Sequence, residues 1–178
     1  MMNKKKMIFA AFFLALGLLM PFLTGQIREI GNKLLPMHIP VLLCGFVCGW
    51  QYGLLVGFLT PLFRTVLFGM PLPNAAVCMA FELAVYGAMT GILYHKLKKT
   101  KLAIYISLFV AMMAGRVMWG LISILIYSVQ GNVFTWSVFM GGAVLNAIPG
   151  IIVQIVLIPV LVMALEKTGV MREDEYVI

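Results

Sequence analysis

The chain has 178 residues, 63% of them hydrophobic and only 11% charged, with a formal net charge of +7 and a mean hydropathy of +1.06. Soluble domains carry about 45–50% apolar and about 25% charged residues, so this composition excludes a water-soluble globular protein and predicts an all-α integral membrane protein. The positive charge does not point to nucleic acid: Lys4, Lys5 and Lys6, then Lys96, Lys98, Lys99 and Lys101, then Lys167 and Arg172 lie in short hydrophilic segments at the ends of apolar runs, where basic residues mark the cytoplasmic side.

The first apolar run, IFAAFFLALGLLMPFLTG, follows the three lysines. It could pass for a signal peptide but has no clear small-x-small cleavage site before the next segment, so it reads as a retained span from about Met7 to Thr24. A polar connection, QIREIGNKLLP, comes next, with Arg28, Glu29 and Lys33 expected at the outer face. The stretch from Met37 to Met70 is too long for one span of about 20 residues. The glycines and polar Gln51 of GWQYG divide it into an under-length second span and a third ending near Gly69. The PLPN turn, whose prolines cannot continue a helix, precedes a fourth span to about Leu93. The fifth runs from Leu102 to about Val129, and the sixth from Thr135 to Leu165, followed by the acidic tail REDEYVI. The basic clusters at Lys4–Lys6 and Lys96–Lys101 must share a side, which requires an even number of spans between them. The expectation is a single domain over 1–178, a six-transmembrane-helix bundle with both termini cytoplasmic.

Charged side chains inside such helices cost about 2.5–3.5 kcal/mol each on insertion scales, and they mark function or buried pairing. Arg64, Glu82 and Arg116 are of this kind. By helix rise they fall in the outer half of the bundle, together with Asn146 and with His38 at the outer mouth of the second span; only Gln154 lies buried at comparable depth on the inner side. On the fifth helix Met112, Arg116, Trp119, Ser123 and Tyr127 share a face, and on the fourth Glu82 and Tyr86 stand one turn apart. Asn146 is flanked by Gly142 and by Pro149-Gly150, a helix breaker that frees backbone groups beside it. Apolar and aromatic walls with a few convergent polar groups are how small-molecule sites are built. Either arginine could pair with Glu82 simply to hold the bundle, His38 could cap an interfacial turn, and Asn146 could be packing glue. One glutamate cannot neutralise two arginines, however, and the surplus favours a ligand with a carboxylate held by a guanidinium.

Cys44, Cys48 and Cys78 read as small packing residues, and no histidine is spaced to complete a metal site with them. Gly45, Gly49, Gly53 and Gly57 recur every four residues, and Ala11 and Ala15 form a small-xxx-small step; both patterns mean close helix contact, within the bundle or with another membrane protein.

The run LPMHIPVLLCGFVCGWQYGLLVGFLTPLFRTVLFGMPLP, with MAFELAVYG and AGRVMWG after it, resembles the substrate-binding S components of bacterial energy-coupling factor (ECF) vitamin transporters over nearly the whole chain. The HIPVLL and FELAVYG segments are most similar to the pantothenate-type branch; other vitamins (pyridoxine, hydroxymethylpyrimidine, a folate-like compound) are the alternatives. The resemblance implies a multi-pass protein of the bacterial cell membrane that binds a vitamin-like small molecule from outside. It also implies partnership with a T subunit and two ATPases, and toppling in the membrane to release cargo. Ala11 and Ala15 match the family's first-helix step that contacts the T subunit. The chain has no phosphate-binding GxxxxGK[ST] loop and is expected to hold no cofactor, ATP being hydrolysed by the partners. No enzyme is expected: Ser107, Ser123, Ser128 and Ser137 lack a Gly-x-Ser-Gly setting, and His38 and His95 fall at opposite faces. A non-transport membrane assembly protein is the remaining rival.

Overall fold

The computed structural model describes residues 4–24, 33–97, 100–169 and 171. The polar connection with Arg28 and Glu29, the lysines at 98 and 99, and the acidic tail from Arg172 lie outside them. Helix α1 (Lys4–Leu19) ends in a 3-10 turn, Met20–Thr24. It is followed by α2 (His38–Cys48), α3 (Trp50–Phe68), α4 (Pro73–Lys96) and α5 (Lys101–Val129). A last helical run comprises α6 (Trp136–Phe139), a π turn (Met140–Val144), a 3-10 turn (Leu145–Ala147) and α7 (Ile148–Lys167). Among the described residues, five runs are long and apolar enough to cross a membrane: Lys4–Leu23, Trp50–Phe68, Pro73–Lys96, Lys101–Val129 and Trp136–Lys167. The described residues form an all-helical bundle with the helix lengths and composition of a multi-pass membrane protein.

The second span departs from expectation. At 11 residues, α2 is about 16 Å long, half of what a bilayer core of about 30 Å requires. Every one of its residues is buried, so it is an internal half-helix packed against α1, α3, α4 and α7. Its end falls where the sequence indicates: Gly49, at φ +93°, separates α2 from α3, a conformation that costs a glycine little.

The four-residue glycine period closes the bundle. A Cβ on Gly45 or Gly53 would come within 2.4 Å of the Gly87 carbonyl oxygen, one on Gly57 within 2.2 Å of the Leu83 oxygen, and one on Gly91 within 2.3 Å of the Trp50 nitrogen. Backbone therefore lies on backbone along the α2–α3 hairpin and α4. Lipid supplies no hydrophobic drive for helix association, and close van der Waals approach of this kind replaces it. These contacts set the register: Gly49–Trp50 lie level with Gly91, Gly53 with Gly87, and Gly57 with Leu83.

The breaker of the last run also sits elsewhere than the prolines suggest. The irregular segment is Met140–Ala147, whereas Pro149 occupies the first turn of α7, where its missing N–H is harmless. Gly150 is buried, with the backbone of Lys33 and Leu34 laid over it.

Candidate functional site

The first residue of the short α2 is His38. His38 is wholly buried, its Nε2 3.6 Å from Glu82 Oε1, and its ring meets Tyr86 edge-on at a centroid distance of 5.2 Å. From α5, Arg116 Nη1 reaches the same Glu82 Oε1 at 2.9 Å. The α4–α5 crossing that permits this is tight: a Cβ on Gly115 would lie 3.2 Å from the Glu82 carbonyl oxygen and from the Tyr86 ring. One turn along α4 from Glu82, Cys78 Sγ lies 3.4 Å from Ser123 Oγ of α5. His38, Glu82, Tyr86 and Arg116 thus converge from three helices.

This cluster is rich in unused hydrogen-bonding capacity. His38 Nδ1, Tyr86 Oη, and Arg116 Nε and Nη2 are buried and meet no hydrogen-bond partner among the described residues. A buried polar group left in this condition costs about 1–3 kcal/mol. Arg116 is the informative member: Nη1 meets Glu82, while Nε and Nη2, the planar fork that matches a carboxylate, are unpaired among the described residues. Its side chain retains 12% exposure against 2% for Glu82.

The structure sets Arg64 apart. It is buried on α3, but its Nη1 donates to the Leu18 carbonyl in the last turn of α1, and its guanidinium lies between Phe22 and Phe68, at 5.0 and 5.3 Å from the ring centroids. A cation at a helix C-terminus, stacked on aromatic faces, is favourably placed. The charge surplus counted over the sequence is therefore not gathered in the cluster, where Glu82 and Arg116 balance.

Trp119, one turn from Arg116, is partly buried. Its ring would touch a Cβ on Gly142 at 2.6 Å and packs near Phe134 and Phe139, each at a centroid distance of 6.3 Å. Asn146 is exposed on its 3-10 turn and is not among the buried cluster. Ala11 and Ala15 are exposed on α1, whereas Ala10, Phe13 and Gly17 face the bundle. Cys44, Cys48 and Cys78 are buried free thiols.

Comparison with known proteins gives one finding. The family described as "ECF transporter, substrate-specific component" matches residues 5–162. No curated protein and no solved structure matches. That match runs from the lysines of α1 to near the end of α7 and takes in every residue of the cluster. The chain belongs to the substrate-specific components of ECF transporters, a family of substrate-binding transport subunits rather than of enzymes.

Proposed function

We propose that this protein captures a small carboxylate-bearing vitamin or precursor, with pantothenate the best candidate, for uptake through a T subunit and two ATPases. The observation that carries the reading is the buried, unpaired Nε–Nη2 edge of Arg116 beside Glu82. The α2 N-terminus at His38 brings the positive end of a half-helix to the same depth, an arrangement that suits an anionic group. Pantothenate offers its carboxylate to Arg116 and its hydroxyls and amide to Tyr86 and His38, with Trp119 closing the apolar side. We assign Arg64 to holding α1 and leave Asn146 at the rim. Titration calorimetry should show pantothenate binding and pyridoxine, which lacks a carboxylate, failing to compete; the reverse preference would refute the assignment.

In the membrane, we place both termini and the Lys96–Lys101 segment in the bacterial cytoplasm, with α2 as the second of six passes. With the three native cysteines replaced, Lys33→Cys and Asn132→Cys should react with impermeant thiol reagents added to intact cells, and Thr168→Cys should not. Labelling at position 168 would overturn this topology.

The exposure of Ala11 and Ala15 supports their use as the T-subunit face, since small residues admit close backbone approach. Ala11→Trp and Ala15→Trp should abolish uptake in cells while changing ligand affinity of the purified protein less than about twofold. A parallel loss of both would make α1 a structural part of the binding unit.

A further inference from the structure

Gln154 is the one polar residue in the apolar stretch IIVQIVLIPVLVMAL of α7. It is wholly buried, and both amide atoms, Nε2 and Oε1, lack a hydrogen-bond partner among the described residues. A primary amide can donate twice and accept twice, so an apolar site that uses none of this is a poor place for glutamine unless something else arrives.

Its level in the bundle can be read from contacts at one end. Tyr94 Oη donates to Glu166 Oε1, joining the ends of α4 and α7. Glu82 and Gln154 each lie twelve residues before that pair on their own helices, hence about 18 Å from it along each axis. Gln154 is therefore level with Glu82. Its direction follows from its neighbours: Gly150, Gln154 and Ile158 are buried on one face of α7, and Gly150 abuts the Lys33–Leu34 backbone that leads into His38. Helices α2, α4, α5 and α7 contact one another in a closed ring, α2 on α4, α4 on α5, α5 on α7 and α7 on α2. Three of the four contribute His38, Glu82 with Tyr86, and Arg116 to the interior at this level.

We infer that Gln154 is the fourth wall of the binding site, a specificity-determining residue that hydrogen-bonds a neutral polar group of the ligand, an amide or a hydroxyl, while Arg116 holds the carboxylate. This rests on the ligand-binding reading above and narrows the substrate class: a small acid whose carboxylate and neutral hydrogen-bonding group are separated by an apolar body. A ligand with a carboxylate but no such second group leaves the glutamine unpaired and is discriminated against, because buried polar groups left without partners oppose binding.

The test uses Gln154→Met, which keeps length and removes the amide. In ligand-free protein the thermal midpoint should rise, by about 2–4 °C per unsatisfied group removed, and pantothenate affinity should fall at least tenfold. Gln154→Glu, which places a second carboxylate in the site, should abolish pantothenate binding. An unchanged or lowered midpoint in ligand-free Gln154→Met would mean that the amide is satisfied within the fold, and the inference falls. Wild-type affinity retained in Gln154→Met overturns it as well. Wild-type protein that binds no pantothenate refutes the vitamin assignment instead, and the midpoint then decides the role of Gln154 alone.

Discussion

Arg116→Ala should weaken ligand binding by about 2–5 kcal/mol, the range for truncating one partner of a buried hydrogen-bonded charge pair, which is roughly 30- to 4,000-fold in Kd. Two losses combine. The Nε–Nη2 edge disappears, and with it the fork for a carboxylate; Glu82, at 2% exposure, also loses the cation 2.9 Å from its oxygen. An uncompensated buried carboxylate is itself strongly destabilising. Arg116→Lys separates the two. It keeps a positive charge near Glu82 but presents a point charge in place of the planar fork, so it should hold the fold and recover only part of the affinity. Arg64→Ala should do the opposite: its guanidinium is spent on the Leu18 carbonyl and two phenyl rings, so α1 loosens while Kd changes little. Calorimetry on the three purified variants checks the set, and equal affinity in wild type and Arg116→Ala would remove Arg116 from the site.

Gly87→Leu should prevent the bundle from assembling. A Cβ alone at this position would lie 2.2 Å from the Gly53 oxygen, 2.4 Å from its carbonyl carbon and 2.8 Å from its Cα. All three are backbone, so no rotamer change relieves the overlap and α3 must move away from α4. Overpacking a core costs about 1–3 kcal/mol where side chains can yield; with backbone on both sides the cost lies at or above the top of that range. The displacement also reaches the site, because Tyr86 is the preceding residue and Glu82 is just over one turn away. Gly141→Ala is the control: nothing lies within 4 Å of a Cβ there, and it should be tolerated. Size-exclusion monodispersity and thermal midpoint in detergent measure the difference. A well-behaved Gly87→Leu protein with wild-type midpoint would contradict the backbone packing described here.

The helices and the cluster were legible in the sequence to different degrees and for physical reasons. Apolar run length, Gly49 and the Pro71–Pro73 turn place α1, α3, α4 and α5, because bilayer thickness and proline geometry leave few alternatives. Glu82, Tyr86 and Arg116 stand out because charge and hydroxyl are costly at their depth. The sequence places His38 at the outer mouth of the second span, and the structure buries it against Glu82 and Tyr86, because α2 is packed inside the bundle along its whole length. Arg64 is distinguished from Arg116 only by tertiary contact: both are arginines in apolar helices, and nothing local says that one will meet the α1 carbonyls and the other Glu82. The sequence places Gln154 on the inner side; the π and 3-10 turns at Met140–Ala147 disturb any count down the last run from its start, and the Tyr94–Glu166 contact at its other end supplies a second reference.

As proposed, a single small acid occupies the interior at the level of Glu82. Native mass spectrometry of the purified protein after incubation with pantothenate and competing water-soluble vitamins measures this directly. One bound molecule per chain is expected, identified as pantothenate or a closely related carboxylate, and absent from Arg116→Ala. Protein that stays ligand-free throughout, or that retains only a molecule without a carboxylate, would contradict it.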